Sequence, residues 1–315
     1  MSRAAVSRVA ELILTGFGVS VLSFLMIRLI PGDAVQLMLG ANAEVTPGAM
    51  EALRHQLGLD LPFVVQYARW LGHALRGDFG VSLSTGEPVL GEIAAASWVT
   101  AELTLLGLLV AIALAIPLGC AMATVRRPLP GLAVRLASIA GLTVPPFWLG
   151  IMALYAVAAL APGFPAIGWV SFGRDPLGNL ARAALPVAAI ALPATASLAR
   201  ILRASLQEAL GQDYVRTARA KGLTEREVLV RHGLRNALLP FTTAAGILAG
   251  YLFGGSVVVE QVFALPGLGR LMVGAIAERD YSLVQAAILL ATLVFLVVNA
   301  GVDLLYATLD PRLRG

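Results

Sequence analysis

The sequence predicts an all-α, polytopic membrane protein with six transmembrane helices. Of its 315 residues, 58% are hydrophobic and only 13% are charged, and the mean hydropathy is +0.82. A soluble domain usually carries about 25% charged residues. Six charge-free apolar intervals have about the 17 to 25 residues that are needed to cross the hydrocarbon core of a bilayer. Basic residues concentrate in alternate segments between these intervals, as the topology of a multi-pass protein requires.

The six predicted spans are distributed over four predicted regions, one span in the first region and five in the third. The first span is short, but Arg28 can lengthen it by snorkelling, and Pro145-Pro146 interrupts the third, where a kink is expected. The predicted spans are 12–27, 103–125, 136–161, 183–199, 236–259 and 281–302. The predicted regions are an N-terminal tail with the first helix (1–30), an extracytoplasmic helical segment (31–97), a five-helix core (98–310) and a tail (311–315).

The distribution of basic residues predicts which side of the membrane each segment faces. An even number of spans places both termini on one side. If that side is the cytoplasm, 15 of the 23 basic residues lie inside, and most acidic residues lie outside. Cytoplasmic loops carry such an excess of arginine and lysine. We therefore expect both termini in the cytoplasm, and we read the positive charge as a topology signal and not as a nucleic-acid-binding surface.

The extracytoplasmic segment is expected to contain two short helices. Thr46-Pro47 is typical of a helix start, and Phe63, Tyr67 and Trp70 recur at helical spacing before Gly77 ends the second helix. Two roles stay open for this segment. It could dock a partner outside the cell, or it could pack its aromatic side chains on the bundle or at the headgroup level.

The cytoplasmic segment 203–238 has the pattern of two helices joined by a tight turn. Gly222 stands where a helix C-cap belongs, and Thr224 to Glu227 has the pattern of a capping box. Val230, Leu234 and Leu238 then form an apolar stripe at i, i+4 and i+8. From these residues alone, two interpretations are equal: a turn presented to a cytosolic partner, or an amphipathic connector lying on anionic lipid headgroups.

The chain has no sequence that would bind ATP phosphates. Lys221 is its only lysine and lies between Ala220 and Gly222, whereas a P-loop needs Gly-Lys followed by Ser or Thr. The zinc-protease sequence His-Glu-x-x-His is also absent, and no catalytic set of residues is found within the predicted spans. We therefore expect a non-enzymatic subunit with no metal site and no cofactor, powered, if by ATP, by another chain.

Two blocks of the cytoplasmic segment carry a family resemblance. Ala-Arg-Ala-Lys-Gly-Leu at 218–223 and Leu-Arg-Asn-Ala-Leu-Leu-Pro at 234–240 resemble the EAA loop of ABC importer permeases of the dipeptide/oligopeptide/nickel group. Counting from Gly222 places Arg216, Thr217 and Ala218 at the Glu-Ala-Ala positions, so the acidic residue is missing here. Segments at 28–33, 145–150, 260–271, 279–281, 303–306 and 309–312 are similar to other parts of these permeases, so the resemblance runs nearly from end to end.

The resemblance implies a type I importer-like permease of the bacterial inner membrane, and it implies which partners this permease has. It implies a second homologous permease, two cytosolic ATP-binding subunits and an extracytoplasmic substrate-binding protein, in contact with membrane lipid. The implied ATPase-coupling residues are Arg216, Thr217, Ala218, Lys221, Gly222, Leu223, Thr224, Glu225 and Glu227. The implied translocation-path residues are Pro145, Pro146, Phe147 and Trp148. The cargo stays open among dipeptides, longer peptides, glutathione, nickel chelates and sugars.

One alternative function belongs to a different class. A stand-alone secondary transporter or channel would also be polytopic, but it should carry charged residues near the middle of its spans or a selectivity filter. The predicted spans contain neither. The sequence therefore favours the ATP-coupled permease.

Overall fold

The computed structural model describes residues 3–28, 48, 51, 55, 60–124, 141 and 143–309. These residues are mostly helical, and their one β feature is an isolated antiparallel bridge between Val81 and Pro88. In chain order the helices are α1 (Arg3–Arg28), α2 (Phe63–Ala74), α3 (Val89–Thr124), α4 (Pro146–Leu160), α5 (Pro176–Leu210), α6 (Asp213–Ala220), α7 (Glu225–Gly255), α8 (Val257–Val262), α9 (Leu268–Ala277) and α10 (Tyr281–Leu309). The all-α fold class is confirmed.

Four helices in the described ranges are long and apolar enough to cross a membrane. They are α3, α5, α7 and the stretch Tyr281–Gly301 of α10. Ala10–Met26 and Pro146–Leu160 are apolar but shorter, and residues 136–140 and 142 of the third predicted span lie outside the described residues. The count of six spans therefore stays a prediction. At 1.5 Å per residue, the 36 residues of α3 reach about 54 Å, which exceeds the roughly 30 Å of hydrocarbon.

The described chain separates into two compact units. The first comprises Met1–Trp98 and Gly267–Leu296. Within it, α1 and α2 meet through an aromatic cluster formed by Phe17, Phe24, Tyr67 and Trp70. The Tyr67 hydroxyl also lies 2.7 Å from the Ser20 hydroxyl. The helix predicted around Phe63 to Trp70 is therefore present, and its aromatic contacts with α1 favour the packing role over the docking role.

Glycines end α2 as the sequence predicted. The backbone turns at Gly77 and Gly80, whose φ values are +80° and +79°. Residues that have a Cβ rarely adopt such φ values. The Asp78 carboxylate accepts the Gly80 N–H at 3.0 Å. The predicted helix start at Thr46-Pro47 lies outside the described residues.

The second unit comprises Val99–Pro266 and Val297–Gly315, with α5 at its centre. Alanines keep α5 slender, and its buried residues pack on α3 and α7. The packing on α3 is close, because a Cβ added to Gly119 would lie 2.9 Å from the Leu202 side chain. Small residues let membrane helices approach in this way.

One predicted boundary in the second half of the chain is wrong. The span expected at 236–259 ends at Gly255, and Ser256 separates it from α8. After α8 the backbone turns at Ala264, whose φ is +54°. α9 then begins at Leu268 after an extended Gly267.

Candidate functional site

The α6–α7 turn is closed by backbone hydrogen bonds around Gly222. Its φ is +85°. The N–H of Gly222 donates to Arg219 O at 2.9 Å, and the N–H of Leu223 donates to Ala218 O at 3.3 Å. This pair of bonds is the Schellman motif, which satisfies carbonyls at a helix end when a left-handed residue follows. The predicted C-cap at Gly222 is confirmed.

The predicted capping box opens α7 immediately after this turn. The Thr224 hydroxyl accepts the backbone N–H of Glu227, and the Glu227 carboxylate accepts the Thr224 N–H at 3.0 Å and its hydroxyl at 2.9 Å. The hydrogen bond from the Thr224 N–H has the largest effect on the Glu227 carboxyl, followed by the bond from the Thr224 hydroxyl, and both lower the pKa of Glu227. Because this pKa is lowered, the carboxylate stabilises the cap at pH values above the usual glutamate range. That contribution is lost as the pH falls through the lowered value.

An ion pair bridges the turn from one helix to the next. The guanidinium of Arg219 donates to both carboxylate oxygens of Glu225, at 2.8 Å and 3.1 Å. Such a bidentate pair fixes the orientation of the two side chains relative to each other. An exposed pair nevertheless adds only about 0–1 kcal/mol to the free energy of unfolding. The pair therefore helps to set the angle between α6 and α7 without being a main source of stability.

A small apolar core supports the turn. Val215 and Ala218 of α6 are buried against Val228 of α7. On a neighbouring part of the same segment, the Asn236 side-chain amide donates to the Tyr214 hydroxyl at 2.8 Å. Packing and hydrogen bonds together hold the two helices in one arrangement, so the turn is a rigid element.

The first turns of α7 depart from the predicted apolar stripe. Val228–Leu234 is π-helical, so residues five apart share a face. Val228 and Gly233 are buried, whereas Val230 is 54% exposed. A Cβ on Gly233 would lie 3.1 Å from the Leu210 side chain, so α7 approaches α5 closely here. The prediction assumed a spacing of four residues and placed Val230 on the wrong face.

The predicted coupling residues differ in how exposed they are. Six are exposed: Arg216, Thr217, Lys221, Gly222, Thr224 and Glu225. Leu223 and Glu227 are half-buried, and Ala218 is buried in the supporting core. The structure therefore brings all nine into one turn. Any contact that a partner makes falls on the exposed group.

Removal of the capping hydroxyl should loosen the start of α7. We expect Thr224→Ala to cost about 1 kcal/mol locally and to raise the hydrogen-exchange rate of the Glu227 amide about fivefold. Thr217→Ala is the matched control, because its hydroxyl bonds to Asp213 O within α6 and caps nothing. Equal exchange at Glu227 in both variants would contradict the role of the cap.

The predicted translocation-path residues lie at the start of α4. Pro145 is extended, at φ −64° and ψ 140°, and α4 begins at Pro146. The prolines therefore begin a helix, in place of the kink that was expected. Phe147 and Trp148 are 43% and 47% exposed. Of the four residues, Pro146 is found in the wall of a cavity.

That cavity lies within the second unit and has a volume of about 230 Å³. Its wall is contributed by α4, α5, α7 and α8. Most of the lining is hydrocarbon, and two hydroxyls, those of Ser197 and Ser256, belong to it. Because four helices contribute to its wall, the cavity lies between helices and not within a single loop. It is therefore a candidate site for a transported molecule.

Sequence reasoning missed two buried carboxylates. Glu260, read as part of an external loop, lies in α8 with no exposed surface and accepts the hydroxyls of Thr100 (2.7 Å) and Ser256 (2.8 Å). Asp280, also without exposed surface, accepts Ser82 Oγ at 2.6 Å and the Leu83 N–H at 2.8 Å. Their partners are distant in sequence, so no local pattern could have revealed them.

Comparison with known families matches almost the whole chain. The model described as "Binding-protein-dependent transport system inner membrane component" matches residues 115–315, and the corresponding N-terminal model matches residues 1–104. A protein of Brucella abortus (strain 2308) that carries the name of a peptide transport system permease is 40% identical over 314 residues, covering 100% of this chain and 99% of its own length. The glutathione transport system permease protein GsiC of Escherichia coli (strain K12) is 39% identical over 309 residues, covering 98% of each chain.

Solved structures share the fold. A chain of the inward-facing MetNI methionine ABC transporter aligns with a TM-score of 0.57 at 16% identity, over 70% of this chain and 96% of its own. A chain of an amino acid ABC transporter with histidines aligns with a TM-score of 0.56 at 15% identity, over 69% and 94%. At these identities the likeness concerns the fold alone.

Proposed function

The chain belongs to the family of binding-protein-dependent transport system inner membrane components, as a peptide-type ABC importer permease, and from this we propose that its α6–α7 turn is where a separate ATPase drives it. The observation that carries the proposal is the construction of the turn. A Schellman motif, a capping box and a bidentate ion pair fix its shape on a buried base, yet Lys221 and Gly222 are exposed. A rigid element can transmit force between subunits, whereas a loose loop cannot.

The partners follow from the same premise. We propose a second homologous permease beside this chain, two cytosolic ATP-binding subunits below it and a substrate-binding protein outside. Hydrolysis is assigned to the ATP-binding subunits, because no Gly-Lys-Ser/Thr sequence is present here. Both termini and the α6–α7 turn are assigned to the cytoplasmic side, in accordance with the distribution of basic residues.

The proposed cargo is a short peptide or a related small solute. Relatives that align over nearly the whole chain are named for peptide and glutathione transport. Glutathione is itself peptide-like, so the two names agree on a class of molecule. The binding protein is proposed to deliver this cargo to the permease.

The stand-alone transporter or channel is not favoured. Glu260 is a fully buried carboxylate, but it lies in the six-residue helix α8 and not in one of the four described helices that are long enough to cross a membrane. Its carboxylate accepts the hydroxyls of Thr100 and Ser256. Family membership therefore favours the ATP-coupled permease.

Reconstitution of the full complex tests the proposed function. Proteoliposomes that contain both permeases and the ATPase subunits, with the binding protein added outside, should accumulate labelled short peptide only when ATP is enclosed. Omission of the ATPase subunits should reduce uptake to the level of empty liposomes. Equal uptake by this chain alone, without ATP, would contradict the proposal and support a secondary transporter or channel.

A further inference from the structure

Three irregular points of the helices meet at the cavity in the second unit: the start of one helix, a proline within another, and a break between two consecutive helices. α4 begins at Pro146, α5 contains Pro193, and Ser256 separates α7 from α8. All three residues line the cavity. Transporters commonly build their substrate sites from discontinuous helices, and irregular backbone is tolerated at membrane depth where it lines a cavity or is buried in protein. The coincidence of these features at one space points to a binding site.

The chemistry of the wall selects apolar groups. Ile190, Leu248, Leu252 and Val259 are among its lining residues. The hydroxyl of Ser256 is directed to the Glu260 carboxylate at 2.8 Å, so it does not demand a polar ligand. An apolar space of this kind favours hydrocarbon over ordered water.

The size of the cavity limits how much of a ligand it can hold. Its volume is about 230 Å³, below the roughly 300–1,000 Å³ of pockets that enclose whole small molecules. A complete peptide does not fit, but one large side chain does. The backbone of the peptide would then remain outside the cavity.

We propose that this cavity receives one large apolar side chain of the peptide as it passes through the permease. The inference rests on the proposed function and adds a selectivity to it. The permease itself distinguishes peptides that carry a leucine- or phenylalanine-sized side chain from those that do not. Selection then occurs twice, first in the binding protein and again in this chain.

Two neighbouring glycines supply a matched pair of variants. Gly255 lines the cavity, whereas Gly254 is not part of its wall. Both are exposed, and no heavy atom lies within 4 Å of the position that a Cβ would take on either. Because the added Cβ meets no neighbour, we expect the side chain of Gly255→Leu to occupy part of the cavity. Gly254→Leu adds the same side chain one position earlier in the same helix.

The test compares peptides of equal length that differ in one side chain. Proteoliposomes with the full complex and saturating binding protein are given alanine-only di- and tripeptides, or the same peptides with one phenylalanine. We expect Gly255→Leu to slow ATP-driven uptake of the phenylalanine peptides about tenfold or more, the discrimination that apolar pockets achieve. Uptake of the alanine peptides should change little, and this also shows that the variant is folded and assembled. Gly254→Leu should resemble the wild type with both.

Other outcomes overturn the inference. Equal slowing of both peptide classes by Gly255→Leu, in complexes that assemble and hydrolyse ATP as the wild type does, would mean that the cavity does not distinguish one cargo side chain from another. Unchanged uptake of both would mean that the cavity does not contact the cargo. Loss of a co-purified lipid with unchanged uptake would assign the cavity to an acyl chain. If wild-type complexes accumulate neither peptide class with ATP, the proposed function fails first, and this inference fails with it.

Discussion

Gly222→Pro is expected to abolish ATP-driven uptake while the complex still inserts and assembles. Proline fixes φ near −65° and removes the backbone N–H, whereas Gly222 has a φ of +85° and donates that N–H to Arg219 O. The Schellman motif cannot form, so α6 and α7 lose their fixed angle. ATP hydrolysis should persist but no longer produce transport. Uptake and ATPase rates measured on the same proteoliposomes will separate the two activities.

Two further variants isolate the cause of that loss. Gly222→Asn should retain most uptake, because asparagine tolerates the left-handed conformation and no heavy atom lies within 4 Å of the added Cβ. Lys221→Glu leaves the backbone intact but reverses the exposed charge, and we expect it also to uncouple transport. Normal uptake in both Gly222→Pro and Lys221→Glu would contradict the coupling role of the turn.

Asp280→Ala is expected to cause the largest loss of stability in the first unit. One oxygen of Asp280 accepts hydrogen bonds from Ser82, Leu83 and Ser84, and the other accepts the Leu283 N–H at 3.1 Å. The Ser82 hydroxyl and the Leu283 N–H are the buried donors of this set, and each buried donor left without an acceptor costs about 1–3 kcal/mol. We therefore expect a total loss of about 3–5 kcal/mol, near the upper end for single substitutions. In purified protein the thermal midpoint should fall by about 10 °C.

The neighbouring acid Glu278 provides the control for Asp280. Glu278 is exposed, and exposed substitutions usually change stability by no more than about 0.5 kcal/mol. Glu278→Ala should therefore unfold close to the wild-type temperature. Asp280→Asn, which keeps the shape but only one acceptor oxygen, should lie between the two. A similar thermal midpoint for the Ala variants at both positions would refute the clamp that Asp280 forms on the loop at Ser82–Ser84.

Local patterns predicted the coupling turn well. The C-cap at Gly222 and the capping box from Thr224 to Glu227 each depend on residues within a few positions of one another, and both are confirmed. The predicted apolar stripe is correct at Leu234 and Leu238, which pack on the core, but wrong at Val230, because a π-helical segment shifts the buried face by one residue per turn. Such a segment forms when close packing of α7 on α5 outweighs regular helical geometry, and packing partners are not visible in a local window.

Long-range features escaped prediction for the same reason. Glu260 bonds to Thr100, 160 residues away, and Asp280 to Ser82, 198 residues away. Read locally, Glu260 follows an apolar run and looked like the first residue of a loop. The cavity likewise arises from four helices. Of its lining, the sequence supplied only Pro146, through the proline pair that breaks the third predicted span.

Chemical cross-linking at Lys221 tests the central claim most directly, because the chain has no other lysine. An amine-reactive cross-linker added to the assembled complex should join this chain to an ATP-binding subunit. Lys221→Arg keeps the charge but should remove the adduct, which excludes attachment through the N-terminal amine. Before cross-linking, a membrane-impermeant amine reagent should label Lys221 in inside-out vesicles and not in right-side-out ones. Labelling from the outside, or an unchanged adduct in Lys221→Arg, would contradict the account.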